Sequence, residues 1–281
     1  MSAGLTVLHI SDFQCGKPYL PRATEALLEV FAEVTPDVVV ASGDLTQRAK
    51  KREFVQARSI LDRFGDTPTV ITPGNHDVPL YRMWERLFDP FRNWRSFAGE
   101  DALDTVTQVG DAVIVALNSA APRRAIVNGR IDDDQVEFAR RAFAQSDAGA
   151  LRVLVVHHHF VPVPNGEGAP PLPHSARLAQ AFGEMGVDVV LGGHVHQLHM
   201  HVAEEIPGVS PRVPPLPILA CGTSTSRRGR GVEAGWNSLS VLRFAERAVE
   251  VTPYRRAPEA DAFEAMPAQS WALRRGLGAV T

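Results

Sequence analysis

Asp37-Val38-Val39-Val40-Ala41-Ser42-Gly43-Asp44 is a run of apolar, mostly β-branched residues that stops on a glycine and a carboxylate. A short continuous apolar run bounded by turn signals reads as a strand buried on both faces. Upstream, Leu5 to Ile10 is a second such run, stopping on Ser11-Asp12. Between them, Arg22 to Val34 places Ala23, Leu27, Leu28, Val30 and Phe31 at helical spacing, and Pro36 ends the segment. Downstream, Lys51 to Phe64 is a helix stopped by Gly65, and Thr69 to Thr72 is a strand running into Pro73-Gly74-Asn75-His76-Asp77. Strand, helix, strand, helix, strand is the sequence of a parallel sheet.

The remainder adds a second set of strands. Thr105–Val109 and Ala112–Leu117 form a hairpin around Gly110-Asp111. Asp132–Ala144 is a helix with acidic residues in its first turn, where they complement the helix dipole. Arg152–Val156 is an apolar strand that runs into His157-His158-His159. Ser175–Gly183 is a short helix, and Val187–Leu191 is a strand ending in Gly192-Gly193-His194-Val195-His196. Leu216–Ala220, Ser238–Phe244 and Ala248–Thr252 are later strands. Val78–Ala98, rich in aromatic residues, is expected to be largely helical and to pack on the body of the protein. The Ala-rich tail from Pro258 is expected to be helical or loosely docked. These elements make an α/β protein in which two sheets pack as a sandwich flanked by helices, with residues 1–281 in one domain.

Composition excludes several classes. Twenty-nine Lys and Arg oppose 32 Asp and Glu, for a net charge of −3. That balance supplies no global attraction to nucleic acid or anionic membrane. Two distant cysteines, Cys15 and Cys221, make neither a disulfide framework nor a zinc motif, and both are expected to be buried thiols. Met1–Ile10 shows neither a basic leader nor a long apolar run, so a cytoplasmic location is expected.

The chemistry lies at the strand ends. Asp12, Asp44, Asn75, His158 and the His194/His196 pair each follow a strand. In open α/β sheets ligands bind beyond the carboxyl ends of the strands, so these side chains are placed to converge on one cleft. Two carboxylates, one amide and three imidazoles, without a thiolate, suit Mn, Fe, Zn or Co. A catalytic zinc takes about three protein ligands. Six fit two ions sharing a carboxylate; such a pair, ~3.5–4 Å apart, activates water and clamps a phosphoryl group. A small phosphorylated molecule is the expected substrate.

Together, Asp12-Phe13-Gln14, Gly43-Asp44, Gly74-Asn75-His76-Asp77, His157-His158-His159 and Gly193-His194-Val195-His196 resemble the ordered motifs of the calcineurin-like metallophosphoesterase superfamily. The resemblance implies a four-layer αββα sandwich and a site for two divalent ions. By it, Asp44 bridges both ions, Asp12 and His196 hold the first, and Asn75, His158 and His194 hold the second. His76 would not ligate; it would donate a proton to the leaving alkoxide or hydrogen-bond a phosphate oxygen, and Asp77 would fix its tautomer. Ser42-Gly43-Asp44-Leu45-Thr46 also resembles bacterial members that act on cyclic nucleotides. This favours phosphodiesters over phosphomonoesters or nucleotide conjugates by analogy alone. A scaffold without turnover is a further alternative.

Two positions leave a choice. Gln14 stands where the family usually has His. Its amide oxygen either ligates the first ion, shifting preference from Zn toward Mn, Fe or Mg, or leaves that place to water. In the triple histidine, the family's usual pattern is His-x-Pro with the first His ligating. Phe160 stands where that Pro would be, which selects His158, with His157 as the alternative and His159 at the rim. Strand alternation places His157 and His159 on one side and His158 on the other. His9, inside the first strand, is expected to be a core histidine, and His199 and His201 to lie at or near the surface. Arg227, Arg228 and Arg230 are either a solvated loop or phosphate contacts, as are Arg123, Arg124 and Arg130. The proline-rich loop Pro162–Pro173 follows a ligand and could shape the pocket.

Overall fold

The computed structural model describes residues 4–123, 128–163, 170–213, 215–245 and 248–273. Arg124, the centre of the Pro162–Pro173 loop and the end of the tail lie outside the described residues. Thirteen strands and six α-helices are present among those described: β1 (Thr6–Ile10), α1 (Pro21–Val34), β2 (Val38–Ala41), α2 (Lys51–Leu61), β3 (Thr69–Ile71), α3 (Met83–Phe88), α4 (Arg92–Ala98), β4 (Thr105–Val109), β5 (Ala112–Leu117), α5 (Asp133–Ala144), β6 (Leu151–Val156), α6 (Ser175–Glu184), β7 (Val189–Gly192), β8 (His199–Val202), β9 (Pro217–Ala220), β10 (Asn237–Phe244), β11 (Ala248–Arg256), β12 (Glu264–Ala265) and β13 (Gln269–Ala272).

One sheet has the order β12-β11-β10-β1-β2-β3, with β13 also paired to β11. The other has the order β4-β5-β6-β7-β9-β8. Within the first, β1, β2 and β3 are parallel and β10 runs antiparallel to β1. Within the second, β5, β6, β7 and β9 are parallel, and β4 and β8 close the edges antiparallel.

Strand alternation distributes the core into three layers of apolar contact. Val7, Val38, Val40, Ile114, Val153, Val155 and Leu191 fill the space between the sheets. Leu8, Ile10, Val39 and Ala41, one residue out of phase, pack outward against Leu27, Val30, Phe54 and Ala57 of α1 and α2. Val113, Val115, Leu117, Leu154 and Val156 pack outward on the other side against Val136, Phe143, Leu178 and Phe182 of α5 and α6. Helix, sheet, sheet, helix is the arrangement expected, and it is why the central strands are apolar on both faces. α5 begins with a capping box in which the Asp132 backbone N–H donates to Gln135 Oε1 (3.0 Å).

Two expectations are corrected. The tail is neither helical nor loose as far as residue 273: β13 pairs with β11 from Ala248↔Ala272 to Val251↔Gln269, and Leu273 is buried between the sheets. The aromatic segment packs only in part. Trp94 and Phe97 sit against Phe54 and Phe91 is buried in the same core, whereas Tyr81, Trp84 and Phe88 are 74–77% exposed. The short helix α3 turns its aromatics to solvent, with Trp84 and Phe88 stacked on each other.

Cys15 and Cys221 are buried free thiols, and His9 is a core histidine held by Ser42 Oγ at 3.0 Å. Among the described residues, no helix is long and apolar enough to cross a membrane.

Candidate metal centre

The loops that follow β1, β2 and β3 meet those that follow β6, β7 and β9, and both sheets contribute to one buried cluster. Backbone bonds stitch the loops together. The Asp12 N–H donates to the Gly43 carbonyl (3.0 Å), Gln14 N–H to Asp44 O (2.9 Å), Gly193 N–H to His157 O (3.0 Å) and Ser224 N–H to Ser11 O (2.9 Å). The approach is so close that two glycines have no substitute. A Cβ on Gly43 would lie 2.5 Å from His157 Nδ1, and one on Gly193 would lie 2.0 Å from Ser11 Oγ.

Asp12, Gln14, Asp44, His194 and His196 all have left-handed backbones, with φ of 53°, 52°, 51°, 76° and 55°. That conformation costs an L-residue about 1–2 kcal/mol relative to the ordinary one. Such residues persist where the surroundings over-determine them, typically at functional sites. Here the left-handed turn lets a side chain leave the strand end sideways, into the cleft, instead of continuing along the strand axis.

One oxygen from each of Asp12 and Asp44 and a ring nitrogen of His157 lie within 4.8 Å of one another, all buried. His157 Nδ1–H donates to the Ser42 carbonyl (2.7 Å), which turns Nε2 toward Asp44 Oδ1 at 3.4 Å. His196 Nε2 lies 3.4 Å from Asp12 Oδ1, and His194 Nδ1 lies 2.9 Å from Asn75 Oδ1. Both carboxylates are oriented by the backbone: the His194 N–H donates to Asp12 Oδ2 (3.0 Å) and the His76 N–H to Asp44 Oδ1 (2.7 Å).

The electrostatics of this cluster call for a cation. Burial raises the Asp12 carboxyl to about 7; His157 draws it down and Asp44 pushes it up again. Burial alone would depress His157, but Asp44 and then Asp12 hold it up to about 9. Burial drives His194 and His196 well below the usual imidazole range, with neighbouring imidazoles adding for His194 and Arg228 adding for His196. Neutral imidazoles carry lone pairs and are the form that binds metal. Among the described residues, Asp12 Oδ1 and His157 Nε2 are buried without a hydrogen-bond partner, as is Nδ1, the other ring nitrogen of His196. The raised Asp12 and His157 show that this cluster holds on to positive charge as protons; a divalent ion that displaces those protons fits it, because its ligands are the deprotonated forms of these groups.

The structure corrects three of the sequence expectations. Along β6, Leu151, Val153 and Val155 face the other sheet while Leu154 and Val156 face the helices. The alternation carries His157 toward the carboxylates and His158 away, where Ser119 Oγ lies 2.7 Å from its Nδ1. His157, not His158, therefore joins Asp12 and Asp44. His159 is not at the rim; it is buried and stacks on the His194 ring at 5.5 Å.

Asp77 does not touch the His76 ring. The Gln47 carbonyl does, 2.9 Å from His76 Nδ1. Asp77 instead accepts from the N–H groups of Leu45 (3.1 Å), Thr46 (2.8 Å) and Gly74 (2.9 Å) and from Thr46 Oγ1 (2.9 Å). It braces the two loops that carry Asp44 and Asn75. Burial, with Asp44 adding, raises its carboxyl to about 7 against the opposing pull of these donors.

Gln14, where the sequence left the choice open, presents its amide N–H to Asp44 Oδ2 (2.9 Å), and its oxygen accepts from Arg228 Nη1 (2.8 Å). Its acceptor is thus directed away from the carboxylates. Arg228 Nη1 also lies 3.1 Å from His76 Nε2. Of the other arginines, Arg227, Arg230, Arg123 and Arg130 are exposed. His199 and His201, both half-buried, meet edge to face on β8. Ser119 and Gln47 had no distinguishing signal in the sequence: each is an ordinary polar residue whose partner comes from a distant strand.

The sequence profile of the calcineurin-like phosphoesterase family matches residues 5–198. A 3′,5′-cyclic adenosine monophosphate phosphodiesterase of Pseudomonas aeruginosa is 30% identical over 183 residues, covering 63% of this chain and 61% of that protein. The match therefore spans about three fifths of the relative's length. A purple acid phosphatase from yellow lupin superposes with a TM-score of 0.72 at 14% identity, covering 99% of this chain and 55% of that one. A dimetal phosphatase from Danio rerio superposes with a TM-score of 0.64 at 10% identity, covering 96% and 99%. These structures share the fold, and the profile match takes in every loop of the cluster as far as His196, so the chain belongs to the calcineurin-like phosphoesterases.

Proposed function

We propose that this chain is a metal-dependent phosphoesterase whose substrates are phosphodiesters such as cyclic nucleotides. The convergence of Asp12, Asp44 and His157 within 4.8 Å in a buried cleft carries the proposal. Asp12, Asp44 and His196 would hold one ion, and Asp44, Asn75, His157 and His194 a second. Divalent ions there supply a nucleophilic water at neutral pH and neutralise charge on the phosphoryl oxygens. The donor set suits Mn, Fe or Zn.

The chain's own residues supply the rest. His76 is anchored by Nδ1 to Gln47 and presents Nε2 to the cleft. Once protonated on Nε2 it would give that proton to the leaving oxygen, a contribution of about 10²–10⁴ in rate; burial, with Arg228 adding, lowers its hold on the proton. Diesters are favoured by the likeness to the Pseudomonas aeruginosa enzyme, whose name states a cyclic nucleotide substrate.

The test is turnover of bis-p-nitrophenyl phosphate and of 3′,5′-cyclic AMP by the purified chain supplied with Mn. Hydrolysis of both, with His76→Ala reducing kcat by about 10²-fold or more while two ions stay bound, is the expected result. No turnover with Mn, Fe, Zn or Co would favour the binding scaffold. Turnover of monoesters or nucleotide conjugates alone would reassign the substrate.

A further inference from the structure

Three arginines lie in one short loop after β9, but only one is built into the site. Arg227 is exposed and bonds the Lys17 carbonyl at 2.8 Å, and Arg230 is exposed. Arg228 is half-buried, with Nη1 shared between Gln14 Oε1 and His76 Nε2.

The loop holds it there firmly. The backbone N–H of Arg227 donates to Pro18 O (2.9 Å) and that of Arg230 to His196 O (3.1 Å), fixing the chain on either side of Arg228. Thr223 Oγ1 donates to the Asp12 carbonyl (2.7 Å) and Thr225 Oγ1 to the Phe13 carbonyl (3.2 Å). The buried Asn237 amide donates to Thr223 O (3.2 Å) and Ser226 O (2.7 Å). A solvated loop has no reason for such anchoring.

The chemistry of position 14 gives the arrangement its sense. A glutamine amide has an acceptor end and a donor end. Here the donor end meets the Asp44 carboxylate and the acceptor end meets the guanidinium, so both are satisfied. A neutral imidazole in that place has one lone pair. If it were turned toward the carboxylates to bind an ion, the other ring nitrogen would present an N–H to Arg228, donor against donor. Glutamine at 14 and arginine at 228 are therefore a matched pair. The guanidinium has further N–H groups, and their fork suits phosphate oxygens.

Resting on the phosphoesterase reading above, we infer that Arg228 binds a non-bridging oxygen of the substrate phosphoryl group beside His76, and that Gln14 is the positioning residue that holds Arg228 there. In this chain the departure at Gln14 provides an anion contact made by protein in place of a stronger ion ligand.

The experiment uses the full chain loaded with Mn and reads two quantities. These are Mn per chain by elemental analysis and the Kd of inorganic phosphate by titration calorimetry, with kcat and KM for bis-p-nitrophenyl phosphate alongside. Arg228→Ala is expected to keep the Mn content and weaken phosphate by about 10- to 100-fold, the weight of a charge-assisted hydrogen bond. Arg228→Lys recovers part of this, because an ammonium has the charge without the fork. Gln14→His weakens phosphate like Arg228→Ala, and the double variant is no weaker than either, as for residues acting as one unit. Unchanged phosphate affinity in Arg228→Ala with Mn retained overturns the inference alone. Loss of Mn in Gln14→Ala without loss of phosphate affinity assigns Gln14 to the ion and overturns its positioning role. Failure of the unmodified chain to bind Mn overturns the phosphoesterase reading and this inference with it.

Discussion

Replacing His157 by alanine is expected to remove one of two bound ions and to lower turnover by about 10³-fold or more, since it takes away both a ligand and the charge that ligand helps to hold. His157 Nε2 is the imidazole nitrogen that closes on both carboxylates, and its ring is fixed from behind by the Ser42 carbonyl. His158→Ala should keep both ions and lose about 10- to 100-fold, the usual cost of a group that acts on a metal site through a neighbour. Elemental analysis of the two variants, beside steady-state rates, separates them. If His158→Ala loses an ion while His157→Ala keeps both, the assignment is reversed.

Replacing Asp77 by alanine is expected to destabilise the protein by about 3–5 kcal/mol, and to strip the ions as a consequence. Three backbone N–H groups would lose their acceptor in a fully buried place, while Thr46 Oγ1 keeps the His76 carbonyl at 3.1 Å. Each buried unsatisfied donor costs about 1–3 kcal/mol. Denaturant unfolding of the metal-free chain measures the stability term without interference from metal binding. Were Asp77 instead a partner of the His76 ring, Asp77→Asn would reduce kcat and leave stability near that of the unmodified chain. An amide at 77 turns an NH₂ toward some of those N–H groups, so Asp77→Asn is expected to lose stability as well.

Much of this architecture was legible from the sequence, and the illegible parts have physical causes. The runs Leu5–Ile10 and Asp37–Ser42 are apolar throughout because β1 and β2 are covered on both faces, and that feature alone marks them as central parallel strands. The same feature hid the choice at His157-His158. β6 is apolar on both faces beyond Arg152, so that one half-buried charge at the start of the strand is all that marks which set of alternate residues looks away from the other sheet. The motif sets the location of the histidines, and the phase of the strand sets which one reaches the carboxylates.

The role of Asp77 is hidden in the sequence for a different reason. Adjacent in sequence to His76, it is separated from that ring in space by the turn that follows β3, and its partners come from the loop after β2. Arg228 could be found as a candidate, but its distinction from Arg227 and Arg230 depends on a loop pinned to the Asp12–Phe13 and His196 backbones, which no local pattern encodes. The aromatics of Val78–Ala98 were expected to pack, and the short α3 leaves Trp84 and Phe88 facing solvent.

The five left-handed residues of the centre set a limit on how this protein can be improved. Any scheme that selects residues by backbone compatibility would recommend glycine at positions 12, 14, 44, 194 and 196. Each such change relieves the backbone and deletes a working side chain. A library sorted for expression level should therefore enrich glycine at these positions, while the same library sorted for catalysis should reject it. The two maps would diverge at these five places more than at the buried strands, where folding and activity ask for the same residues. Selection for robustness alone, natural or in the laboratory, would carry this chain toward a stable, silent relative of itself.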